Sequence, residues 1–288
     1  MDVVTGAEGF IGSHLVKTLK KPLKCDVKNL ISNSIHPSDL FYRLHCDLPA
    51  GQQSKTIFHL GAISSTTEDN TIKIVENNIL FSCRILEYCV ANNINFVYAS
   101  SASVYGMGKD GFNEDCITKP LNYYANSKMC FDFFVKQKIA DNPEAKIVGL
   151  RYFNVYGKNE DLKATGASPV HKFFQQANNT NEIKLFEGSE NYLRDFVHID
   201  DVISITKKAI DFPSGIYNVG TGNARSFFDI ASIISTLTGA KIKEIPFPQQ
   251  LVGKYQKYTC SDNTKINSTG YSKDRISLEE GINRTIDV

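Results

Sequence analysis

The sequence has no apolar run that approaches the ~18–20 residues needed for a membrane-spanning helix. It also lacks the ordered charged, apolar and small-residue regions of a signal peptide, because Met1 and Asp2 lead straight into the apolar run that begins at Val3. From these two absences we expect a cytoplasmic protein with no membrane partner.

Neither sign of charge predominates in the sequence. The 32 lysines and arginines are balanced by 31 aspartates and glutamates, which leaves a formal net charge of +1. Broad electrostatic binding to nucleic acid requires a clear basic excess. We therefore expect no nucleic-acid partner, although the composition leaves room for a local basic patch.

The seven cysteines contain no CxxC pair and are scattered between residues 25 and 260. This odd number of scattered cysteines has neither the ligand spacing of a zinc site nor the regular pairing of a disulfide framework. We therefore expect reduced thiols and no metal. The remaining composition, 42% hydrophobic and 22% charged over 288 residues, is that of a globular protein with one large domain or two joined ones.

Strand-like and helix-like runs alternate through the first half of the chain. Short apolar runs that read as buried strands lie at 3–5, 56–60, 95–99 and 147–151. Apolar residues from Ile72 to Val90 recur every three to four positions and predict one long helix, and a second helix is predicted over about 124–139. This alternation predicts an α/β fold with a parallel sheet and right-handed crossovers.

The pattern changes after Asn154, where polar and irregular stretches become frequent. We expect a dinucleotide-binding domain over 1–153, to which segments near 196–224 return, and a smaller C-terminal α/β substrate-binding domain mainly over 154–288. Within the latter, Ser226 precedes Asp229 by three residues and predicts a capping box for an amphipathic helix that Gly239 ends.

A GxxGxxG turn, formed by Gly6, Gly9 and Gly12, lies between the first predicted strand and the first predicted helix. In a doubly wound sheet of the Rossmann type, such glycines allow a tight turn, close approach to a pyrophosphate and close helix packing. The helix N-terminus adds main-chain N–H groups and a positive dipole end. A glycine turn can also serve helix packing alone, so its N-terminal position is what favours a dinucleotide site.

Two acidic residues follow where the adenosine end of a dinucleotide would lie. Asp26 comes 20 residues after Gly6 and suits the ribose hydroxyls, while Lys28 beside it suits a 2′-phosphate instead. Asp47 is a candidate for an adenine contact. Small residues after His59 end the next strand, at the sheet edge where such a ligand crosses.

Ser101, Tyr124 and Lys128 form a second candidate group. Ser101 follows a predicted strand, and Tyr124 and Lys128 lie one turn apart on one face of a predicted helix. An ordinary phenol has a pKa near 10, but a nearby ammonium and an oxidised nicotinamide favour the phenolate and should lower that pKa. Tyr124 would then take a proton while hydride leaves, with Ser101 bonding the substrate oxygen.

YxxxK alone also occurs on solvated helix faces, but GxxGxxG, SSxxxYG and YxxxK in this order resemble the extended short-chain dehydrogenase/reductase family of nucleotide-sugar epimerases and dehydratases. The resemblance runs from Asp2 to nearly the C-terminus. It includes the stretches at 61–68, 151–157, 184–191, 194–197, 246–248 and 253–256, of which LFEGSEN at 185–191 is the most specific.

The resemblance implies an isomerase that inverts C6 of an ADP-heptose for lipopolysaccharide synthesis, by transient oxidation with a tightly bound NADP or NAD. It implies catalytic roles for Tyr124, Lys128, Ser101 and, as second acid/base group, Lys163. The residues implied in cofactor binding are Gly6, Gly9, Phe10, Ile11, Gly12, Asp26, Leu60, Gly61, Ala62, Ile63, Ser64, Asn77, Lys128, Val155 and Lys163. Those implied in substrate binding are Ser101, Asn154, Thr165, Lys172, Phe186, Glu187, Gly188, Ser189, Arg194 and Tyr255.

Some features depart from the family pattern or leave alternatives open. The second strand, about 23–27, is poorly marked, so NADP over NAD rests on the resemblance alone. Lys172 stands about where the family has a histidine. A UDP-hexose 4-epimerase would share the Ser101 group without needing Lys163, and a protein that only senses the dinucleotide is a further alternative. The family also leads us to expect a homo-oligomer.

Overall fold

The structure, a computed structural model, describes residues 1–26, 34–35, 37–41, 44, 55–109, 111–249 and 256–286, with main chain only at 34–35, 37 and 164–165. Lys28, Asp47 and Tyr255, which the sequence made candidates for ligand contacts, lie outside the described residues. Within the described part of the chain, no helix is long and apolar enough to cross a membrane.

The strands, in chain order, are β1 (Asp2–Thr5), β2 (Leu23–Cys25), β3 (Ser34–Ile35), β4 (Thr56–His59), β5 (Asn95–Ser101), β6 (Ile147–Tyr152), β7 (Asn154–Tyr156), β8 (Glu182–Phe186), β9 (Leu193–His198), β10 (Gly215–Val219), β11 (Ala224–Ser226) and β12 (Lys241–Ile245). The α-helices are α1 (Phe10–Thr18), α2 (Thr71–Ile74), α3 (Phe81–Ala91), α4 (Tyr123–Asp141), α5 (Pro169–Thr180), α6 (Ile199–Lys208), α7 (Phe227–Thr238), α8 (Thr264–Asn267) and α9 (Leu278–Thr285).

A seven-stranded sheet has the strand order β10-β6-β5-β4-β1-β2-β3. β1 pairs in parallel with both β2 and β4, so that Val4 lies opposite Lys24 on one side and Phe58 on the other. This strand order, with its reversal at β1, is that of a Rossmann fold. The predicted α/β fold with a parallel sheet is confirmed.

The core of the first compact unit, residues 1–104, 120–151 and 203–217, lies around this sheet. β4 is buried along its whole length, as expected for a strand whose two faces are both covered by helices. The core side chains of the first unit include Val3, Ile57, Ile85, Phe96, Tyr98, Phe131 and Ile147.

The long helix predicted from Ile72 to Val90 is interrupted. Between α2 and α3 the chain forms a π-helical segment, Val75–Leu80, hereafter the π segment. Asn77 donates its side-chain N–H to the carbonyl of Lys73, and Ser82 donates to that of Asn78. Such side-chain bonds compete with the regular helical ladder, and apolar periodicity does not reveal them.

The second compact unit comprises residues 105–119, 152–202 and 218–286 of the described chain. It contains a sheet of order β11-β9-β7 and a parallel pair formed by β12 and β8. Its core side chains include Val170, Ile183, Leu185, Ile230, Ile234 and Ile282.

The capping box predicted at α7 is confirmed, with Ser226 and Asp229 bonding each other's main chain and Gly239 ending the helix at a φ of +76°. The limits predicted for the domains differ from those of the two units. The returning segment is 203–217, and residues 105–119 go with the second unit. The assignment of one domain to the dinucleotide and the other to the substrate stays a prediction.

Candidate functional site

The glycine turn places bare main chain at the start of α1. Gly6 has a φ of +67°, and a Cβ there would lie 2.6 Å from the main-chain nitrogen of Gly61. A Cβ on Gly12 would overlap the carbonyl oxygen of Gly6. Helix α1 begins at Phe10 after Gly9, which has no side chain with which to cap the helix. The turn therefore leaves a helix N-terminus open to an anion such as a pyrophosphate.

Asp26 follows the end of β2 and is 7% exposed. Its carboxylate accepts a 2.9 Å hydrogen bond from the main-chain N–H of Glu8, inside the glycine turn. The acidic group that the sequence assigned to a ribose is therefore held at the glycine turn by a main-chain bond.

The segment 60–64, which follows β4, is held by side-chain hydrogen bonds to Thr5 and Asn78. Gly61 donates its main-chain N–H to the hydroxyl of Thr5 at 3.2 Å. Ile63 both donates to and accepts from the side-chain amide of Asn78, at 2.8 and 3.0 Å. The five predicted cofactor residues at 60–64 are thus held beside the glycine turn and the π segment.

Asn78 was missed by the sequence analysis, which selected its neighbour Asn77. The Asn78 side chain is 1% exposed and also donates to the hydroxyl of Ser127 at 3.0 Å. The Asn77 side chain is only partly buried, and its amide bonds the carbonyl of Lys73. Two adjacent asparagines in an otherwise apolar helix indicate a buried polar contact, but only the geometry of the π segment shows which of the two faces inward.

Ser101, Tyr124 and Lys128 come together in the first unit, at the end of β5 and the start of α4. Ser101 lies close enough to Tyr124 for its side chain to favour the phenolate. The ammonium of Lys128 lies 6.0 Å from the centre of the Tyr124 ring and donates to the carbonyl of Ala99 at 2.8 Å. Helix α4 is capped by Asn122, whose side chain accepts from the N–H of Ala125.

The electrostatics of this group differ from the sequence-based expectation. Burial raises the pKa of Tyr124, and the hydrogen bond from Ser101 only partly opposes this. The expectation that the protein lowers the phenol pKa is therefore wrong for its own residues. Burial lowers the pKa of Lys128 to about 8, against the opposing charge of Asp132. Lys128 thus remains largely charged at neutral pH.

Asp132 is the second residue that the sequence analysis missed. Its carboxylate accepts from the hydroxyl of Tyr98 at 2.8 Å and from Nε of Arg151 at 2.9 Å, and all three side chains are buried. Asp132 lies one helical turn beyond Lys128 on α4. No sequence motif identifies Asp132, because its partners Tyr98 and Arg151 lie on strands that are distant in sequence.

Lys163 lies in the second unit, in the 3₁₀ turn Glu160–Gly166. Its ammonium donates to Glu160 at 2.9 Å and to the carbonyl of Val155 at 2.6 Å. Burial lowers the pKa of Lys163, and the charge of Glu160 opposes that shift. Glu160 is fully buried and also accepts from Gly157 and from Ser168, so the lysine is anchored rather than solvated.

Arg194 on β9 is 7% exposed. Its guanidinium donates to the carbonyls of Leu193 and Gln256 and lies 5.6 Å from the ring centre of Phe227. These main-chain bonds and the aromatic contact hold the guanidinium within the second unit.

The other predicted substrate residues of the second unit vary in exposure. Asn154, Lys172 and Glu187 are exposed, Phe186 is 37% exposed, and Ser189 is buried. Gly188 has a φ of +76°, and Phe186 packs its ring against Phe247. The side chain of Thr165 lies outside the described atoms, as does Tyr255.

Comparisons with known proteins agree with this geometry. The model of the NAD dependent epimerase/dehydratase family matches residues 3–220. The ADP-L-glycero-D-manno-heptose-6-epimerase of Brachyspira hyodysenteriae is 41% identical over 310 residues, covering 100% of this chain and 97% of that protein.

Two solved structures extend the comparison to the fold. The ADP-L-glycero-D-manno-heptose-6-epimerase of Helicobacter pylori has a TM-score of 0.83 at 32% identity, covering 99% of this chain and 94% of that one. The UDP-glucose 4-epimerase of Thermus thermophilus, solved in complex with NAD, has a TM-score of 0.78 at 25% identity, covering 100% and 98%. The resemblance inferred from the sequence is confirmed, and the chain belongs to the NAD dependent epimerase/dehydratase family.

Proposed function

We propose that this chain inverts C6 of ADP-D-glycero-D-manno-heptose to give ADP-L-glycero-D-manno-heptose, a step in lipopolysaccharide inner-core synthesis. The observation that carries the proposal is the group in which Tyr124 lies beside Ser101 and 6.0 Å, measured from its ring centre, from the ammonium of the charged Lys128. The substrate is supported by the two ADP-heptose epimerases, from Brachyspira and Helicobacter, that match nearly the whole chain.

A dinucleotide fits the first unit because Gly6 and Gly12 keep side chains away from the N-terminus of α1. A nicotinamide bound there would supply the acceptor for a hydride from C6 and the donor for its return to the opposite face of the resulting ketone. We assign to this ligand Gly6, Gly9, Phe10, Ile11, Gly12, Asp26, Leu60, Gly61, Ala62, Ile63, Ser64, Asn77, Lys128, Val155 and Lys163. The anionic pyrophosphate meets the positive end of the helix dipole.

Tyr124 is the group that takes the hydroxyl proton of the substrate as its C6 is oxidised. At rest its phenol stays protonated because burial raises its pKa. Added positive charge from an oxidised nicotinamide would act with Lys128 to favour the phenolate. Ser101, which favours the phenolate, would hold the reacting oxygen of the substrate in line with it.

Inversion requires proton transfer in two substrate orientations, and we assign the second acid/base role to Lys163. Burial lowers the pKa of this lysine towards the working range of an acid/base group. Glu160 and the carbonyl of Val155 fix the position of its nitrogen.

The ADP-sugar is assigned to polar and aromatic residues, most of them in the second unit. Arg194 has five N–H donors, and a guanidinium pairs well with a diphosphate. The assigned residues are Ser101, Asn154, Thr165, Lys172, Phe186, Glu187, Gly188, Ser189, Arg194 and Tyr255.

We propose NADP as the resident dinucleotide and NAD as the alternative; the family name, which specifies NAD, supports a nicotinamide cofactor. The carboxylate of Asp26 suits the free ribose hydroxyls of NAD, whereas the proposal of NADP rests on the likeness to ADP-heptose epimerases. Because the reaction has no net redox change, the dinucleotide should remain bound during purification. Mass spectrometry of the dinucleotide released by denaturation distinguishes the two.

The catalytic proposal is tested with Tyr124→Phe, which removes only the phenol oxygen. We expect epimerisation of ADP-D-glycero-D-manno-heptose to fall by at least about 10³-fold, while the dinucleotide still co-purifies. Undiminished epimerisation in this variant would sink the proposal.

A UDP-hexose 4-epimerase is the second candidate, favoured by the likeness to the Thermus UDP-glucose 4-epimerase at 25% identity. Turnover of UDP-glucose in preference to the ADP-heptose would select it. A protein that only senses the dinucleotide would turn over neither sugar nucleotide.

We further propose that the enzyme is a cytoplasmic homo-oligomer. Large apolar side chains are exposed on three neighbouring helical elements of the first unit, α2, the π segment and α4, among them Ile72, Leu80, Phe133 and Phe134. A second copy of the chain is the partner that we propose for this surface.

A further inference from the structure

Three buried polar side chains of the first unit, Thr5, His59 and Ser82, form a hydrogen-bonded line that is joined to the candidate cofactor segment 60–64 at Gly61. Thr5, His59 and Ser82 are each at most 3% exposed. The Thr5 hydroxyl lies 2.7 Å from Nδ1 of His59, and the Ser82 hydroxyl lies 2.8 Å from its Nε2. The imidazole therefore joins β1 to α3 from the end of β4, although the proposed mechanism gives it no part.

The direction of every hydrogen bond in this line follows from its two ends. At one end Ser82 contacts the carbonyl oxygen of Asn78 at 2.8 Å, and a carbonyl can only accept. The Ser82 proton is thus committed, so its oxygen must accept from His59, which places the imidazole proton on Nε2.

At the other end the hydroxyl oxygen of Thr5 accepts the main-chain N–H of Gly61. Thr5 is then free to donate its own proton to Nδ1 of His59, which carries none. When the imidazole is neutral, the line runs in one direction from Gly61 through Thr5, His59 and Ser82 to Asn78, and the ring has the Nε2–H form.

The surroundings of the ring favour this neutral state. Burial, with a contribution from the charge of Lys128, lowers the pKa of His59 to about 3. The ring lies against Phe96 and Phe81, with centroid separations of 6.0 and 5.9 Å. Apolar rings on both sides leave an imidazolium without compensating charge.

Both ends of the line reach main chain that the proposed function assigns to the dinucleotide or to the catalytic helix. Gly61 sits where a Cβ on Gly6 would collide with its nitrogen. Asn78 holds Ile63 by two bonds and donates to Ser127, whose hydroxyl in turn donates to the carbonyl of Tyr124.

We propose that His59 is a positioning residue that, as a fixed Nε2–H tautomer, sets the spacing between the glycine turn, the segment 60–64 and the π segment. This inference rests on the proposed function, because it takes segment 60–64 to be the main chain that the dinucleotide contacts. His59 touches neither cofactor nor substrate and acts through Thr5 and Ser82.

The tautomer is tested by ¹⁵N–¹H correlation spectra of the imidazole rings in the purified wild-type protein. The chain has six histidines, and the signal lost in His59→Gln assigns this ring. We expect a neutral ring with its proton on Nε2 that does not titrate between pH 8 and 5. A proton on Nδ1, or titration within that range, overturns the inference whatever the protein's activity.

The positioning role is tested with two variants of Thr5. Thr5→Val keeps the shape but removes the hydroxyl from both Gly61 and His59, whereas Thr5→Ser retains it. After the co-purified dinucleotide has been removed, we expect calorimetry to show NADP or NAD binding about tenfold weaker in Thr5→Val, and close to wild type in Thr5→Ser, with both variants folded by circular dichroism.

Equal dinucleotide affinity in the two folded variants overturns the positioning role. Equal losses in both variants also overturn it, because the hydroxyl would then not matter. Failure of the wild-type protein to bind either dinucleotide instead overturns the proposed function, and the tautomer measurement is unaffected by that result.

Discussion

Two effects on the pKa of Lys128 oppose each other. Burial strips water from the ammonium and lowers its pKa to about 8, while the negative charge of Asp132 one helical turn away raises it. Asp132 also raises the pKa of Tyr124. One carboxylate that contacts neither proposed ligand thus acts on the protonation of both proposed catalytic groups, and it is itself fixed by Tyr98 and Arg151.

We expect Asp132→Asn to shift the alkaline limb of the kcat/KM profile to lower pH by about one unit. Without the carboxylate, Lys128 loses its proton at lower pH, and so does Tyr124. The measurement is epimerisation rate against pH from 6 to 10. Asp141→Asn removes the same charge from an exposed position on α4 and should leave the profile in place. Identical profiles for both variants would contradict the role given to Asp132.

Glu160 has four donors on one carboxylate, from Gly157, Lys163 and Ser168. A glutamine there must turn its amide N–H₂ towards at least one of these donors. We expect Glu160→Gln to lower the free energy of unfolding by about 3 kcal/mol, as is typical when one partner of a buried ion pair is lost.

Urea denaturation measures this loss, and an exposed ion pair supplies the control. Glu182 lies 3.7 Å from Lys243 with both side chains well solvated, so Glu182→Gln should change the unfolding free energy by less than about 1 kcal/mol. A similar small loss for Glu160→Gln would show that the buried carboxylate does little to hold the turn around Lys163.

Among the structural elements, α1 depends on bare main chain at its first turn. Gly12→Ala would place a methyl group on the carbonyl oxygen of Gly6, and main chain cannot give way as a side chain can. We expect a loss of about 2 kcal/mol in unfolding free energy and of the co-purifying dinucleotide. Lys17→Ala, at an exposed position of the same helix, should affect neither. Retention of the dinucleotide by Gly12→Ala would argue against the turn as its site.

The elements that the sequence predicted well are those whose signals are local. Apolar runs located β4 and β5, and glycine spacing located the turn before α1, because burial and backbone conformation act there on neighbouring residues. The π segment escaped prediction because its apolar residues keep helical spacing.

The candidate site follows the same rule. Ser101, Tyr124 and Lys128 were found by spacing along the chain. Asn78 and Asp132 were not, because each is defined by bonds to residues 15 or more positions away. The burial that raises the pKa of Tyr124 could not be predicted either, since the sequence shows only the neighbouring ammonium.

On the scale of the whole molecule, exposed apolar surface bears on the assembly that we propose. In the first unit Phe133 is 68% exposed and Phe134 is 46% exposed on α4, while Ile72 and Leu80 are exposed on the neighbouring helical elements. A cluster of large apolar side chains on a surface marks an interaction site more often than scattered ones do.

Phe133→Glu is therefore expected to shift the protein from a homo-oligomer to a monomer at the same concentration, because a charge placed in an apolar interface must be desolvated without a partner. Sedimentation velocity measures the mass directly. Phe228→Glu introduces the same charge at an exposed phenylalanine in the second unit and should leave the assembly unchanged. A monomeric wild-type protein would contradict the proposed homo-oligomer. An oligomer that survives Phe133→Glu but not Phe228→Glu would show that the interface lies on another surface.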